Sequence, residues 1–226
     1  MPSSHAVIIL AAGEQHNFHG PEGLIKQLIM LKDGSTLLYR TVAQVRHFAS
    51  VEPIVVTHRP FSELLMYNPL AHGCTVESLL SARRYWARGV DSTTTVLLGD
   101  VLYSWHRIRR ILEDCPAAFW FHGNKKLAEI FAVQFDASLN NLVEKMCRDV
   151  VDVFTGPPAV YPEMPCSGKL WSLARQAVEG QPRGGISDAI VQSAAFENGD
   201  DYTQDFDNFK QLDNPKIPYT AEQLEL

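Results

Sequence analysis

Residues 6–31, AVIILAAGEQHNFHGPEGLIKQLIML, open with an apolar run, break at Gly13, cross a mostly polar stretch and return to a single cation, Lys26. A short continuous apolar run ended by glycine is the pattern of a strand buried on both faces of a parallel sheet, because helices cover such a sheet above and below. The flanking segments extend that reading. STLLYRTVAQVRHFAS (35–50) repeats apolar residues at helical spacing, with Ser35 placed to cap its start. PIVVT (53–57) reads as a second strand, VESLLSARRYWARG (76–89) as a helix ended by glycine, and TTTVLLGD (93–100) as a third strand. A helix over SWHRIRRILED (104–114) and a strand at AAFWF (117–121) follow. Strands alternating with helices predict a doubly wound, mostly parallel α/β sheet of Rossmann-like type.

Beyond residue 121 the pattern changes. EIFAVQF (129–135), a polar turn and LVEKM (142–146) read as a small β-hairpin inserted beside the sheet. Helices are expected over KLWSLARQAVEG (169–180) and ISDAIVQSAAFENG (186–199), ahead of the acidic run DDYTQDFDNFKQL (200–212). Residues 1–212 are expected to form one domain and 213–226 a polar, proline-bearing tail.

Composition narrows the function classes. Of the 226 residues, 46% are hydrophobic and 20% charged, enough for a sizeable core, and the formal net charge is −6. Such a chain lacks the clustered basic field that displaces counterions from nucleic acid, so no nucleic-acid partner is expected, although a local cationic pocket is compatible with it. The four cysteines (Cys74, Cys115, Cys147, Cys166) are widely spaced with no Cys-x-x-Cys pair, which reads as reduced thiols. No basic leader opens the chain and no run approaches the ~18 apolar residues of a membrane span, so the cytoplasm is the expected location, with no membrane partner. The eight histidines form no i, i+4 pair beside a glutamate, which argues against a zinc hydrolase. Trp86, Trp105, Trp120 and Trp171 read as core or interface residues.

In an open parallel sheet, ligands bind outside the carboxyl ends of the strands. Gly13 falls there after the first strand, and Gly99-Asp100 after the third. Glycine at a strand end lets backbone approach a flat or anionic ligand with no Cβ in the way.

Leu10-Ala11-Ala12-Gly13, Lys26-Gln27-Leu28 and Leu97-Leu98-Gly99-Asp100 resemble, in order and spacing, the nucleotidyltransferases that make sugar nucleotides and CDP-alcohols. Phe131-Ala132-Val133 to Phe135-Asp136 with Val143-Glu144-Lys145 is similar to that family's hairpin, and Phe154-Thr155-Gly156 to Tyr161 to a later strand. Ile186-Ser187-Asp188-Ala189-Ile190 resembles one of its helices, and Asp201 to Asp207 its acidic loop. The chain departs from the family at the signature loop. Glu14-Gln15-His16-Asn17 stand where a second glycine and an arginine are usual, and Ile25 replaces the proline before Lys26. In the family that arginine helps hold the departing pyrophosphate; His16, His19, Arg59 or Arg83 could compensate.

The resemblance implies a nucleotide-diphospho-sugar transferase type of fold and a Mg²⁺-dependent transfer from a nucleoside triphosphate to a sugar 1-phosphate. It implies Mg²⁺ on Asp100 and Asp201, and Lys26 against the phosphates. Lys26 and Asp100 would be the catalytic pair. Leu10, Ala11, Ala12, Gly13, Gly73, Thr75, Ser78 and Gly99 would surround the nucleotide, and Glu144, Lys145, Thr155 and Gly156 would face the second substrate. A homo-oligomer is compatible with this reading. Each residue also has a plainer role: Lys26 as an exposed loop cation, Asp100 and Asp188 as helix caps, Asp201 as part of a solvated acidic face, and Glu144-Lys145 as a surface pair. The alternatives at the level of function are a phosphocholine-type cytidylyltransferase, which YNPLAHGCTVESLLSAR (67–83) also resembles, a nucleotide-binding protein that has lost catalysis, and a glycosyltransferase. The last usually carries an Asp-x-Asp motif, whereas Gly99-Asp100-Val101-Leu102 has one aspartate.

Overall fold

The computed structural model describes residues 5–12, 26–31, 33–57, 66–67, 75–113, 119–124, 129–155, 196–198, 201 and 203–205. In chain order these form β1 (His5–Leu10), α1 (Leu37–Ala49), β2 (Ile54–Val56), β3 (Met66–Tyr67), α2 (Thr75–Ser81), β4 (Thr93–Leu98) and β5 (Val101–Leu102). Then come α3 (Trp105–Glu113), β6 (Phe119–Asn124), β7 (Glu129–Asp136), α4 (Asn140–Thr155), β8 (Phe196–Asn198) and β9 (Gln204–Asp205). The main sheet has strand order β3-β2-β1-β4-β7-β6-β8, and β5 pairs with β9 in a separate ribbon. Strands β3, β2, β1 and β4 are parallel, β7 runs antiparallel to both β4 and β6, and β8 is parallel to β6.

The alternation within β1 explains its unbroken hydrophobicity. Val7 and Ile9 point to one face, where α1 and α3 supply Leu38, Val42, Val45, Ile108 and Ile111. Ile8 and Leu10 point to the other, against Val76 and Leu79 of α2 and Val143, Met146, Cys147 and Val150 of α4. Both faces of the sheet are therefore dry. Cys147, the cysteine among the described residues, is buried. Trp86 packs edge-on against Phe135 with ring centroids 5.2 Å apart, the core role expected of it. Among the described residues no helix is long and apolar enough to cross a membrane.

The structure corrects the sequence reading at several places, among them the helix expected over 76–89, which ends at Ser81, short of Gly89. Residues 142–146 are helix, and the antiparallel partners of β7 are β4 and β6 rather than LVEKM. The five-residue window LVEKM is too short to separate periods. Extended to residue 151, its buried positions Val143, Met146, Cys147 and Val150 fall at i, i+3, i+4 and i+7, the stripe of a helix laid on a sheet. Phe154 and Thr155, expected in a strand, close the same helix. Residues 196–198, expected at the end of a helix, form β8, because the free edge of β6 offers them a parallel ladder from Phe121↔Phe196 to Gly123↔Asn198. The rest of the two helices expected over 169–199 lies outside the described residues. Finally, α1 is capped by Thr36, whose Oγ1 accepts from Tyr39 N at 3.4 Å, and not by Ser35, whose hydroxyl donates to Asp33 at 2.6 Å.

Candidate functional site

The carboxyl ends of β1 and β4 meet at one edge of the sheet. Ala11 N donates to Val56 O at 2.7 Å and Gly99 N to Leu10 O at 2.8 Å, so the end of β1 is braced from both sides. A Cβ built on Gly99 would sit 2.9 Å from Leu10 O and 3.0 Å from the Ala11 Cβ. Only glycine permits this approach, so Gly99 is required by the closeness of two strand ends rather than by an unusual φ.

Lys26 reaches this edge from a short 3-10 turn, Lys26–Leu28. Its side chain is 6% exposed, and Nζ lies 3.4 Å from Oδ2 of Asp100, whose side chain is 32% exposed. A buried ammonium needs an anion nearby, and Asp100 meets that need at a separation longer than a close charge-assisted contact. The carboxylate keeps a face toward solvent. The segment that carries Lys26 is itself clasped. Met30 bridges Thr36, Leu31 N donates to Ser35 O at 2.7 Å, and Arg40 Nη1 donates to Asp33 Oδ2 at 2.8 Å. Burial raises the Asp33 carboxyl, but hydrogen bonds from Ser35 and the charge of Arg40 outweigh it and hold the group below its ordinary range.

Thr75 opens α2 beside this edge, and Ser78 is fully buried one turn on. A cavity of about 30 Å³ lies beneath, lined by Leu10, Thr75, Leu98, Phe121 and Ile130 among others. Its wall is apolar and offers no partner to a charge.

Asp201 is placed otherwise than the resemblance implies. Ser104 Oγ donates to its Oδ2 at 2.8 Å, Thr203 N donates to its Oδ1 at 2.8 Å, and Arg107 Nε lies 3.4 Å from Oδ2. Both oxygens are engaged by protein donors. Burial pushes this carboxyl up, yet the bonds from Thr203 and Ser104 and the Arg107 charge prevail, so it titrates below its ordinary range. The ribbon register, Val101↔Asp205 and Leu102↔Gln204, sets Asp100 at one end of β5 and Asp201 near Ser104 at the other. Among the described residues no three His, Cys, Asp or Glu side chains gather as a metal cage. As a hard, part-exposed carboxylate at the open edge, Asp100 has the chemistry of a residue that would hold Mg²⁺, whereas the oxygens of Asp201 already accept from Ser104 and Thr203.

The expected second-substrate residues lie on α4. Ala137 N donates to Ser92 O at 2.8 Å, which starts α4 beside the amino end of β4. Glu144 is about 6 Å along that helix, whereas β4 runs about 20 Å to Asp100. Glu144 is bonded to Arg83 and, at 2.6 Å, to Arg148 Nη2, which hold its carboxyl below the ordinary range despite some desolvation. Arg83, a candidate to replace the missing loop arginine, is thus paired on α4's flank. Lys145 is exposed and Thr155 ends the helix. Gly13, His16, His19, Arg59, Gly73 and Gly156 lie outside the described residues.

Sequence reasoning missed Tyr103, Arg40, Ser104 and Thr203 as parts of this edge. Ser104 carried a legible signal as an N-cap, and its Oγ does accept from Arg107 N at 2.9 Å. Tyr103 and Thr203 carried none, since their bonds to Phe131 and Ser104 join residues 28 and 99 positions away.

No protein family's sequence profile and no curated protein matches this chain. Solved structures do. A Bacillus anthracis protein described as a candidate glucose-1-phosphate thymidylyltransferase, solved with a sucrose, superposes at a TM-score of 0.55 with 11% identity, over 97% of this chain and 98% of that one. The inositol-1-phosphate CTP transferase from T. maritima superposes at 0.54 with 11% identity, over 93% and 92%. The fold of this chain is therefore the one found in nucleotidyltransferases of the nucleotide-diphospho-sugar transferase type.

Proposed function

We propose that this protein is a nucleotidyltransferase that joins a nucleoside triphosphate to a phosphorylated small molecule, most simply a sugar 1-phosphate, and releases pyrophosphate. The observation that carries this reading is the convergence of Lys26 and Asp100, 74 positions apart, at the carboxyl edge of the sheet. The shared fold and the loop and strand-end motifs support it.

A phosphate monoester is largely dianionic at neutral pH, so no side chain is required to generate the nucleophile. An acceptor oxygen would form a bond to the α-phosphorus while the α–β anhydride bond breaks and pyrophosphate departs with the electron pair. Both partners are polyanions, and the chain's task is to align and neutralise them. The buried Lys26 ammonium would supply a fixed positive charge against the phosphates, stronger for being desolvated. Asp100 would hold Mg²⁺, which lowers the remaining repulsion. The backbone at Leu10–Ala12 would pass beside the nucleoside, with Thr75, Ser78 and the apolar cavity on its other side. Glu144 and Lys145 are left out of the acceptor site, because they stand toward the opposite edge of the sheet.

A second reading, a nucleotide-binding protein without turnover, is favoured by Glu14-Gln15-His16-Asn17 in place of the family's glycine and arginine. One experiment separates the two: a thermal-shift panel of CTP, UTP, dTTP, ATP and GTP with and without Mg²⁺, followed by pyrophosphate release with glucose 1-phosphate and phosphocholine. A metal-dependent rise of about 5 °C or more at saturating triphosphate, with release, is the expected result. Binding without release selects the second reading. No shift with any triphosphate defeats both.

A further inference from the structure

Strands β4 and β7 pair rung by rung from Thr93↔Asp136 to Leu97↔Ala132. The next rung would join Leu98 to Phe131, and there a side chain intervenes. Leu98 N donates to Tyr103 Oη at 2.9 Å, and the same hydroxyl lies 2.6 Å from Phe131 O and 3.2 Å from Leu98 O. With one proton to give, it donates to the nearer Phe131 carbonyl. The tyrosine hydroxyl thus stands between the two strands and carries the hydrogen bond they would otherwise make directly.

Its placement bears on Asp100. Tyr103 is fully buried, and its carbonyl accepts from Gln44 Nε2 at 3.2 Å. The loop Gly99-Asp100-Val101-Leu102 is consequently tied at one end by Gly99 N to Leu10 O and at the other by Tyr103. Beyond it, Ser104 N donates to Thr203 Oγ1 at 3.0 Å. Asp100 sits within a short loop whose two ends return to the same strand terminus.

We propose that the Tyr103 hydroxyl is the positioning group of this site: by keeping the end of β4 apart from β7 it sets the loop at which the Asp100 carboxylate meets the Lys26 ammonium. Without the hydroxyl, the Leu98 amide and the Phe131 carbonyl lose the group that joins them, and the end of β4 that carries Gly99 and Asp100 is no longer fixed against β7. The Lys26 and Asp100 part of this inference is independent of the function proposed above; its consequence for metal-dependent triphosphate binding rests on that reading.

The test is a double-mutant cycle by chemical denaturation, with Asp100→Asn made in the wild type and in Tyr103→Phe, and Val101→Ala as a background weakened by packing alone. The midpoint shift caused by Asp100→Asn should fall to less than half in Tyr103→Phe and stay whole in Val101→Ala; equal shifts in all three overturn the proposal. Exchange of the Leu98 amide in Tyr103→Phe should rise about tenfold relative to Val96, the factor one net hydrogen bond represents. Unchanged relative exchange likewise counts against it. Should Tyr103→Phe fail to fold, 3-fluorotyrosine at position 103 keeps the ring while altering the hydroxyl, and an unmoved Leu98 amide then overturns the idea. With MgCTP and the other magnesium triphosphates, Tyr103→Phe should raise the Mg²⁺ concentration needed for the thermal shift and leave the Mg²⁺-free shift unchanged, a split that general loosening would not produce. If the wild type binds no triphosphate, the functional reading falls while the cycle still decides the role of Tyr103.

Discussion

Two charged clusters invite comparison, the Lys26–Asp100 pair at the carboxyl edge of the sheet and the Arg83–Glu144–Arg148 cluster on α4. In the second the contacts are shorter, yet its arginines are about half exposed, at 50% and 53%. Water and salt screen such charges, and the cluster holds little beyond a surface geometry. In the first the cation is buried and the anion is left partly open at 3.4 Å. A long contact between a dry cation and an unsaturated carboxylate is the more informative arrangement, because it keeps capacity for a third, charged participant. Distance alone would have ranked the two the wrong way round.

The comparison can be broken most sharply at Asp100. Under the proposed function, Asp100→Ala should lower pyrophosphate release by at least about 10²-fold, comparable with removing a group that stabilises a charged transition state, measured in steady-state assays. A variant with wild-type turnover would show that the buried pair is only structural. Next in size, Gly99→Ala should destabilise the fold by about 1–3 kcal/mol in urea denaturation, because the new methyl meets the Leu10 carbonyl at the crowded strand end.

A smaller effect is expected in the pH dependence of stability. The Asp201 carboxyl titrates below its ordinary value of 3.8 in the folded chain. Its contribution is thus complete above 3.8 and is lost as pH falls through that value toward the lower folded one, where the unfolded chain binds the proton more readily. Asp201→Asn should flatten this acid limb of the denaturation midpoint against pH. An acid limb as steep as that of the wild type would mean that Ser104, Thr203 and Arg107 do not favour the ionised form. Smallest of all, Glu144→Gln should leave the midpoint within scatter of the wild type, and any movement should vanish near 1 M salt.

Much of the fold was legible in the residues. The unbroken run Val7–Ala12, the helical stripe Leu38, Val42, Val45 and the apolar strand Val96–Leu98 each announce their element through burial, which acts on neighbours in the chain. The readings that failed had weak local signals. LVEKM belongs to a helix whose period shows only across residues 143–150, and Phe196–Asn198 is a strand because the edge of β6 is available to it. At the site, Lys26, Gly99 and Asp100 were picked out by a resemblance of their segments to those of nucleotidyltransferases, and the structure brings these three to one edge. Glu144 followed from the same resemblance and lies elsewhere, because the segment carrying it folded as a helix rooted at the opposite end of the sheet.

The sequence by itself determined which segments are buried on both faces, where the first helix begins to within one residue, and which residue types end β1 and β4. These are matters of local spacing, where each position is judged against neighbours a few residues away. Only the tertiary structure decided that the hydroxyl of Tyr103 takes a rung of the sheet from Leu98 and Phe131, that Asp201 closes on Ser104 and Thr203, and that Arg40 clasps the loop behind Lys26. Such contacts join positions with no common period, and the chain settles them by which polar groups are left to be satisfied once the core has closed.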